Sequence, residues 1–157
     1  MLVYIVYIVQ QLHSFTHHDL QGLALLATLM ANDGSNGEFR FLTPATVDSF
    51  HADPVERQMS YCANYFVRGG VSLEQLPTNP TADDRRNLQG LDGFYGWGGY
   101  GGSQMQWHRE EKIAFAYIPN YLFWVDITNE KGRRLQREVL QCVIRRCMTS
   151  DSLKENS

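Results

Sequence analysis

The feature that most constrains the fold is the segment Gly93–Ser103, which reads GFYGWGGYGGS and holds six glycines in eleven residues. Glycine loses more conformational freedom on folding than any other residue, so such a run is costly. It is tolerated where the backbone must pass close to another group or take φ angles that a Cβ forbids. The segment therefore predicts a strand built for close backbone approach.

The size and charge of the chain limit its fold and its partners. Its 157 residues, 43% of them hydrophobic, suffice for one domain with a hydrophobic core. Its 14 basic and 17 acidic residues give a formal charge of −3 and form no basic stripe, which argues against a nucleic-acid partner. The densest basic groups share a predicted helix with acidic residues, which is typical of a solvated face: Arg133, Arg134, Arg137, Arg145 and Arg146.

The chain begins with an apolar run, MLVYIVYIV, of nine residues. A bilayer-spanning helix needs about 20, so no transmembrane span is predicted here. A secretory signal would need a basic start and a small-residue cleavage site, and neither is present. Residues 1–12 are assigned to a separate apolar segment, either a buried strand or an ill-defined chain start.

Two helices are predicted early in the chain. The first begins at a capping-box pattern, Thr16 to Asp19, continues with apolar residues at helical spacing, and should end at Asn32-Asp33-Gly34. A shorter helix begins where Thr43 precedes Pro44, since these residues suit the cap and the first helical position. Two of its side chains should point inward: Val47 and Phe50.

An antiparallel hairpin is predicted after the glycine-rich segment. Residues 104–107 alternate, 109–112 form a charged turn, and 113–118 form an apolar strand, with Trp107 as a packing residue. Residues 121–125 are a further candidate strand. Between residues 53 and 92 the periodicity is weak, and only 61–67 predicts a strand or buried segment.

A last helix is predicted after Asn129, with a length of about eighteen residues. Its apolar face should carry Leu135, Val139, Cys142, Val143 and Cys147. A polar tail, 148–157, follows it. Taken together, these elements predict an α+β fold, an antiparallel sheet flanked by helices.

Three segments resemble the C-terminal part of the serine beta-lactamase-related family, which includes class C beta-lactamases, penicillin-binding-protein-like esterases and D-amino-acid peptidases. DLQGL, at 19–23, is similar to the family's "DLA" helix, and FLTPATV, at 41–47, to its "LLSPETV" turn and helix. YGWGGYGGS, at 95–103, is similar to "FGHGGYGGS", the third catalytic motif, written K-T-G or H-x-G. The resemblance covers residues 13–147 and implies a partial beta-lactamase/transpeptidase-like fold.

In that family the third-motif strand forms one wall of the active-site cleft. The resemblance implies that Trp97 replaces the basic residue of the motif and that Gly98 and Gly99 are its second and third residues. It also implies that the N–H of Tyr100 is an oxyanion-hole donor, which is worth about 3 kcal/mol of barrier. A small acyl or peptide ligand is therefore expected along residues 97–103, and no cofactor.

The rest of the catalytic pattern of the family is absent. Acyl-serine chemistry of this type needs a lysine one helical turn after the nucleophilic serine. The sequence contains neither S-x-x-K nor Y-x-N. We therefore expect a truncated or degenerate family member that is inactive alone, and assign no catalytic residue. The alternative is a non-catalytic binding or assembly module that pairs with a partner strand, or with itself, along an exposed glycine-rich edge.

Other polar residues predict no further site. No lysine follows the glycines as a phosphate loop requires, and the histidines lack metal-ligand spacing. His51-Ala52-Asp53 and His108-Arg109-Glu110 each place a carboxylate near a histidine, but no nucleophile accompanies them. Asp83–Arg86 is expected in a solvated turn. The histidines are expected on the surface or in capping turns: His13, His17, His18, His51 and His108. The cysteines are expected to be buried and reduced: Cys62, Cys142 and Cys147.

Overall fold

The structure is a computed structural model that describes residues 4–9, 16–58, 63–99, 102–119 and 130–154. Its strands are β1 (Tyr4–Val9), β2 (Val55–Gln58), β3 (Ala63–Val67), β4 (Gly70–Ser72), β5 (Phe94–Gly98), β6 (Gln104–His108) and β7 (Ile113–Ile118). Its helices are α1 (Thr16–Ala31), α2 (Pro44–His51), α3 (Ala82–Leu88) and α4 (Glu130–Lys154). The predicted α+β class is confirmed.

The strands form one sheet in the order β1-β7-β6-β5-β4-β3-β2. The strands from β2 to β7 pair antiparallel, and β1 pairs parallel with β7. The glycine-rich strand β5 therefore lies at the centre, between β4 and β6. This corrects the expectation of an exposed glycine-rich edge, because the short strands β2, β3 and β4, only one of which the sequence predicts, cover that side.

The two faces of the sheet carry different packing layers. On one face the small residues of β7 allow α1 to approach closely, since Ala114 and Ala116 meet alanines of the helix. The other face carries larger side chains, which pack with α4 in the main hydrophobic cluster: Leu73, Leu91, Phe94, Ile113, Phe115, Tyr117, Leu140 and Val143. The alternation of β7 thus assigns bulk to one face and close helix contact to the other.

The C-terminal end of α1 and the N-terminal end of α2 lie at their predicted caps. Helix α1 ends where Asp33 and Gly34 take positive φ angles of 52° and 88°. A Cβ on Gly34 would lie 2.2 Å from the Leu42 carbonyl oxygen, so this stop needs a glycine. In α2 the Thr43 hydroxyl accepts a hydrogen bond from the Thr46 N–H at 3.1 Å, and Val47 is buried while Phe50 is partly buried.

The region 53–92 contains more structure than its sequence predicts. Strands β2 and β4 are only four and three residues long, too short to show alternation. The Asp83–Arg86 segment belongs to α3 rather than to a turn. Thr81 and Asp84 form a full capping box there, with the Thr81 N–H donating to Asp84 at 2.8 Å.

Helix α4 also differs from its prediction. It has 25 residues and reaches Lys154, so residues 148–154 are helical rather than a tail. Cys142 is exposed, which corrects its assignment to the apolar face. The buried line of the helix instead runs through Gly132, Gln136, Leu140 and Val143, and Cys142 lies about 100° from Val143 around the helix.

Several predictions concern residues outside the described ranges. These are the cap at Asn129, the strand at 121–125, Cys62, the first residues of the 61–67 strand and the histidines His13, His17 and His18 as side chains. No helix within the described ranges is long and apolar enough to cross a membrane.

Candidate functional site

Close backbone approach explains several of the glycines. Gly96 has a φ of 133°, and a Cβ there would lie 2.3 Å from the Met105 carbonyl oxygen on β6. Gly93 has a φ of 81° and would place a Cβ 2.4 Å from the His108 ring. On β4, a Cβ added to Gly70 would likewise lie 2.7 Å from the Gly96 carbonyl oxygen. The predicted tight strand is therefore present, and for these positions its cause is packing within the sheet.

Gly98 differs from those glycines because it is exposed and its backbone polar groups point away from β6. Gly99 donates its N–H to the Ser103 carbonyl at 2.7 Å, and in an antiparallel pair such bonds alternate along the strand. Gly98, one residue earlier, therefore directs its N–H and C=O away from β6, toward the β4 side. The β4–β5 ladder reaches only as far as Val71 and Gly96. Gly98 lies beyond it and is exposed.

The side chain of Trp97 packs over the turn between β3 and β4. Its indole Nε1 donates to the Gly69 carbonyl oxygen at 3.1 Å, and its ring lies 6.3 Å from that of Phe66 between centroids. Gly69 is fixed in turn, since its N–H donates to the Phe50 carbonyl at 2.9 Å. Trp97 is still 48% exposed, so its aromatic surface flanks the open backbone of Gly98.

The structure thus places three of the four predicted site residues together. Trp97 and Gly98 end β5, and Gly99 begins the turn to β6, which a Gly102 N–H to Gly99 carbonyl bond closes at 3.1 Å. Tyr100, the implied oxyanion-hole donor, lies outside the described residues. We call the surface formed by Trp97, Gly98 and Gly99 the strand-end site.

A second polar group, which sequence analysis missed, lies where β6 turns into β7. Arg109 bonds Asp33 at 2.7 Å and Asp48 at 2.8 Å, and Lys112 bonds Asp33 at 3.0 Å. Burial acts to raise the pKa of Asp33, but the hydrogen bonds from Arg109 and Lys112 outweigh it and lower that pKa. This network joins the end of α1, helix α2 and the hairpin. The sequence signals that could have found it are the helix stop at Asp33 and the charged turn at 109–112.

His51 is held between the helix and the sheet. Its Nδ1 lies 2.7 Å from the Val47 carbonyl oxygen, and the Trp107 indole Nε1 donates to its Nε2 at 2.8 Å. A carbonyl accepts only, so Nδ1 carries the proton and Nε2 accepts as a lone pair. The imidazole is therefore neutral, and both nitrogens are occupied. His51 lies in the last turn of α2 and caps the Val47 carbonyl, which agrees with the capping-turn alternative of the prediction and not with the surface alternative.

His108 is buried in a similar way. Its Nδ1 accepts the Glu111 N–H at 3.2 Å, and the backbone of Asp92 is its other partner. Its ring packs edge-on against Phe94. The surface alternative of the prediction is wrong here, because the alternation of β6 turns this side chain toward the core, whereas the bond from Glu111 fits the capping-turn alternative. Neither His51 nor His108 has a free nitrogen for a triad, and the described residues contain no metal-binding group of acidic, histidine and cysteine side chains.

We expect the protein to lose stability as the pH falls below about 6.5, the ordinary histidine pKa. Burial is the main cause that lowers the pKa of His51 and of His108. At pH values between 6.5 and the lowered pKa values of the two folded histidines, the unfolded chain binds protons that the folded chain does not. The free energy of unfolding therefore decreases as the pH falls. Urea unfolding measured from pH 8 to pH 5 checks this. An increase in stability over the range from 6.5 to 5 would contradict it.

Comparisons of the chain with protein-family models, with curated proteins and with solved structures found no match.

Proposed function

We propose that the strand-end site is the oxyanion-side wall of an acyl-serine hydrolase cleft of the beta-lactamase-related type, in a chain that does not form an acyl-enzyme by itself. The observation that carries this proposal is the backbone of Gly98, which faces away from β6 beyond the end of the β4 ladder. A wall of this kind needs main-chain N–H and C=O groups that no neighbouring strand occupies.

The surrounding elements support the proposal. The strand with the third-motif resemblance is central in the sheet, the hairpin partner β7 follows, and a long helix packs on the sheet after it. Gly132 of that helix lies so close that a Cβ would meet the Gln104 side chain at 2.3 Å. Gln104 is the β6 partner of Gly98, so α4 supports the sheet directly behind the strand-end site.

The chemistry of the described residues supports binding rather than acyl transfer. The sequence has no S-x-x-K and no Y-x-N, so the usual serine–lysine pair is absent. The two histidines nearest to carboxylates, His51 and His108, use both ring nitrogens in structural hydrogen bonds. Neither can take a proton from a hydroxyl without breaking one of these bonds.

Trp97 changes the ligand that such a wall would accept. The related motif places a basic side chain at this position, which suits an anionic ligand group. The indole offers an aromatic face, and its only N–H donor is used by Gly69. We therefore propose a ligand with an extended amide or ester backbone for Gly98 and an uncharged group for Trp97.

A non-catalytic assembly role remains the second candidate, in a narrower form. Because β4 covers β5 as far as Gly96, a partner strand could pair only from Gly98 onward. Strand addition there would use the same backbone groups as ligand binding, so the two roles compete for one site.

The first test is covalent labelling with a fluorophosphonate probe and a fluorescent penicillin. We expect no stoichiometric adduct, since no serine here has a lysine three residues later, as S-x-x-K requires. Intact-mass measurement of the treated protein detects an adduct on any serine. Labelling of a serine, Ser103 included, would contradict the proposal.

The second arm tests the wall itself by titration with acetyl-D-alanyl-D-alanine amide, an uncharged extended peptide. Amide NMR shifts should concentrate at Gly98, Gly99 and the Trp97 indole. Gly98→Pro should abolish them because it removes the N–H, whereas Gly98→Ala, which keeps the N–H, should retain them. Light scattering measured over a range of protein concentrations tests the alternative role, because self-association raises the measured mass. Shifts that spare these groups, or equal binding by both variants, would refute the wall.

A further inference from the structure

The loop after α1 contains an exposed Asn36–Gly37 pair with an unusual set of hydrogen bonds. The Asn36 side-chain oxygen Oδ1 accepts the N–H of Glu38 at 3.0 Å and the N–H of Phe39 at 2.8 Å. The Gly37 N–H donates to the Ser35 hydroxyl oxygen at 3.1 Å. Gly37 has a φ of 101°, and nothing lies within 4 Å of the position a Cβ would take.

We propose that Asn36 is a self-modification site, at which the side-chain amide is converted through a cyclic imide into aspartate and isoaspartate. In the first step the Gly37 nitrogen bonds to the Asn36 Cγ, and the Cγ–Nδ2 bond breaks. The proton of the Gly37 N–H leaves with the amide nitrogen as ammonia. Water then opens the ring at either of its two carbonyls, which gives aspartate or isoaspartate.

Two sets of hydrogen bonds and the local covalent geometry favour this reaction. Attack on Cγ places negative charge on Oδ1, where the N–H groups of Glu38 and Phe39 already point. Ser35 Oγ accepts the Gly37 N–H and donates its own hydrogen to the Phe39 carbonyl, so this chain of bonds polarises the N–H that must lose its proton. Glycine has no Cβ to obstruct ring closure, and the reacting atoms belong to adjacent residues, which holds them together.

The other described asparagines lack this combination. Asn32 is 3% exposed and its amide donates to the Ser35 carbonyl. Asn79 precedes Pro80, which has no N–H to attack with. Asn64 and Asn87 precede residues that carry a Cβ, Tyr65 and Leu88. The chain therefore contains its own controls.

The product would change the charge of an exposed surface that holds two aromatic side chains between Glu38 and Leu42. Each product carboxylate adds one negative charge beside Phe39 and Phe41, which are 65% and 61% exposed. Isoaspartate also lengthens the main chain by one carbon. The loop is closed by the Asn36 N–H to Phe39 carbonyl bond at 3.1 Å, and that bond would be lost.

Ageing of the folded chain at pH 8, followed by peptide mapping, tests the inference. We expect a gain of about 1 Da at Asn36, with isoaspartate in the product, before any gain at Asn64, Asn79 or Asn87. Asn36→Gln should block it, because ring closure would then need six atoms, and should leave the fold intact at this exposed position. Conversion of another of these asparagines first, or conversion of Asn36 only in the urea-unfolded chain, would overturn the proposal.

Discussion

Replacement of Gly96 by alanine is expected to lower the free energy of unfolding by at least about 3 kcal/mol, the range of backbone strain combined with a core clash. The added Cβ would lie 2.3 Å from the Met105 carbonyl oxygen and 2.8 Å from the Gln106 Cα. Both are backbone atoms of the neighbouring strand, so relief requires β5 and β6 to separate. The φ of 133° adds strain that no repacking removes.

The control is a glycine-to-alanine substitution in the same chain that should raise the free energy of unfolding. Gly22 lies in α1 with nothing within 4 Å of its Cβ position. Gly22→Ala should therefore stabilise the protein by about 0.5–1 kcal/mol, the helical preference of alanine over glycine. Urea unfolding followed by circular dichroism measures both variants. Equal effects of the two substitutions would show that the close approach of β5 and β6 is not what requires Gly96.

Replacement of His51 by alanine is expected to cost about 2–3 kcal/mol, the combined value of a lost buried hydrogen bond and of aromatic contacts. Trp107 is 1% exposed, so its indole N–H would lose its partner in the interior. The imidazole also packs edge-on against Tyr95 and Trp107, at centroid distances of 4.5 and 5.9 Å. The loss should appear as a lower urea midpoint.

A double-mutant cycle with Trp107→Phe separates the hydrogen bond from the packing. The phenyl ring keeps most of the buried surface and removes the N–H, so the double variant should recover about 1 kcal/mol relative to the sum of the single losses. His51→Ala should also weaken the loss of stability below pH 6.5, because one histidine with a lowered pKa is gone. Additive single losses and an unchanged pH profile would contradict the proposed role of His51.

The strand-end site and the His51 group contact different residues of β5. Tyr95, near the start of the strand, contacts His51, and Trp97, near its end, contacts Phe66 and Gly69. Substitutions at His51 therefore report on stability, and substitutions at Gly98 report on ligand binding. This separation makes the binding tests interpretable, because Gly98→Pro removes an N–H that β6 does not use.

Local patterns predicted those elements whose residues carry strong local preferences. The stop of α1 follows from Asn32-Asp33-Gly34, the start of α2 from Thr43 and Pro44, and the hairpin from its alternation and charged turn. Prediction failed where elements are short or where burial depends on distant neighbours. Strand β4 has three residues, and Cys142 is exposed although it lies within an apolar pattern.

That β5 is a tight, glycine-rich strand leading into an antiparallel hairpin follows from local properties, its glycine content and the alternation after it. Which glycine lies beyond the neighbouring strand depends instead on long-range pairing. Gly93 and Gly96 are fixed by His108 and Met105, residues that follow in the hairpin, whereas Gly98 lies beyond the end of β4. That difference depends on where a neighbouring strand stops, and strand pairing is a long-range property that no local pattern contains.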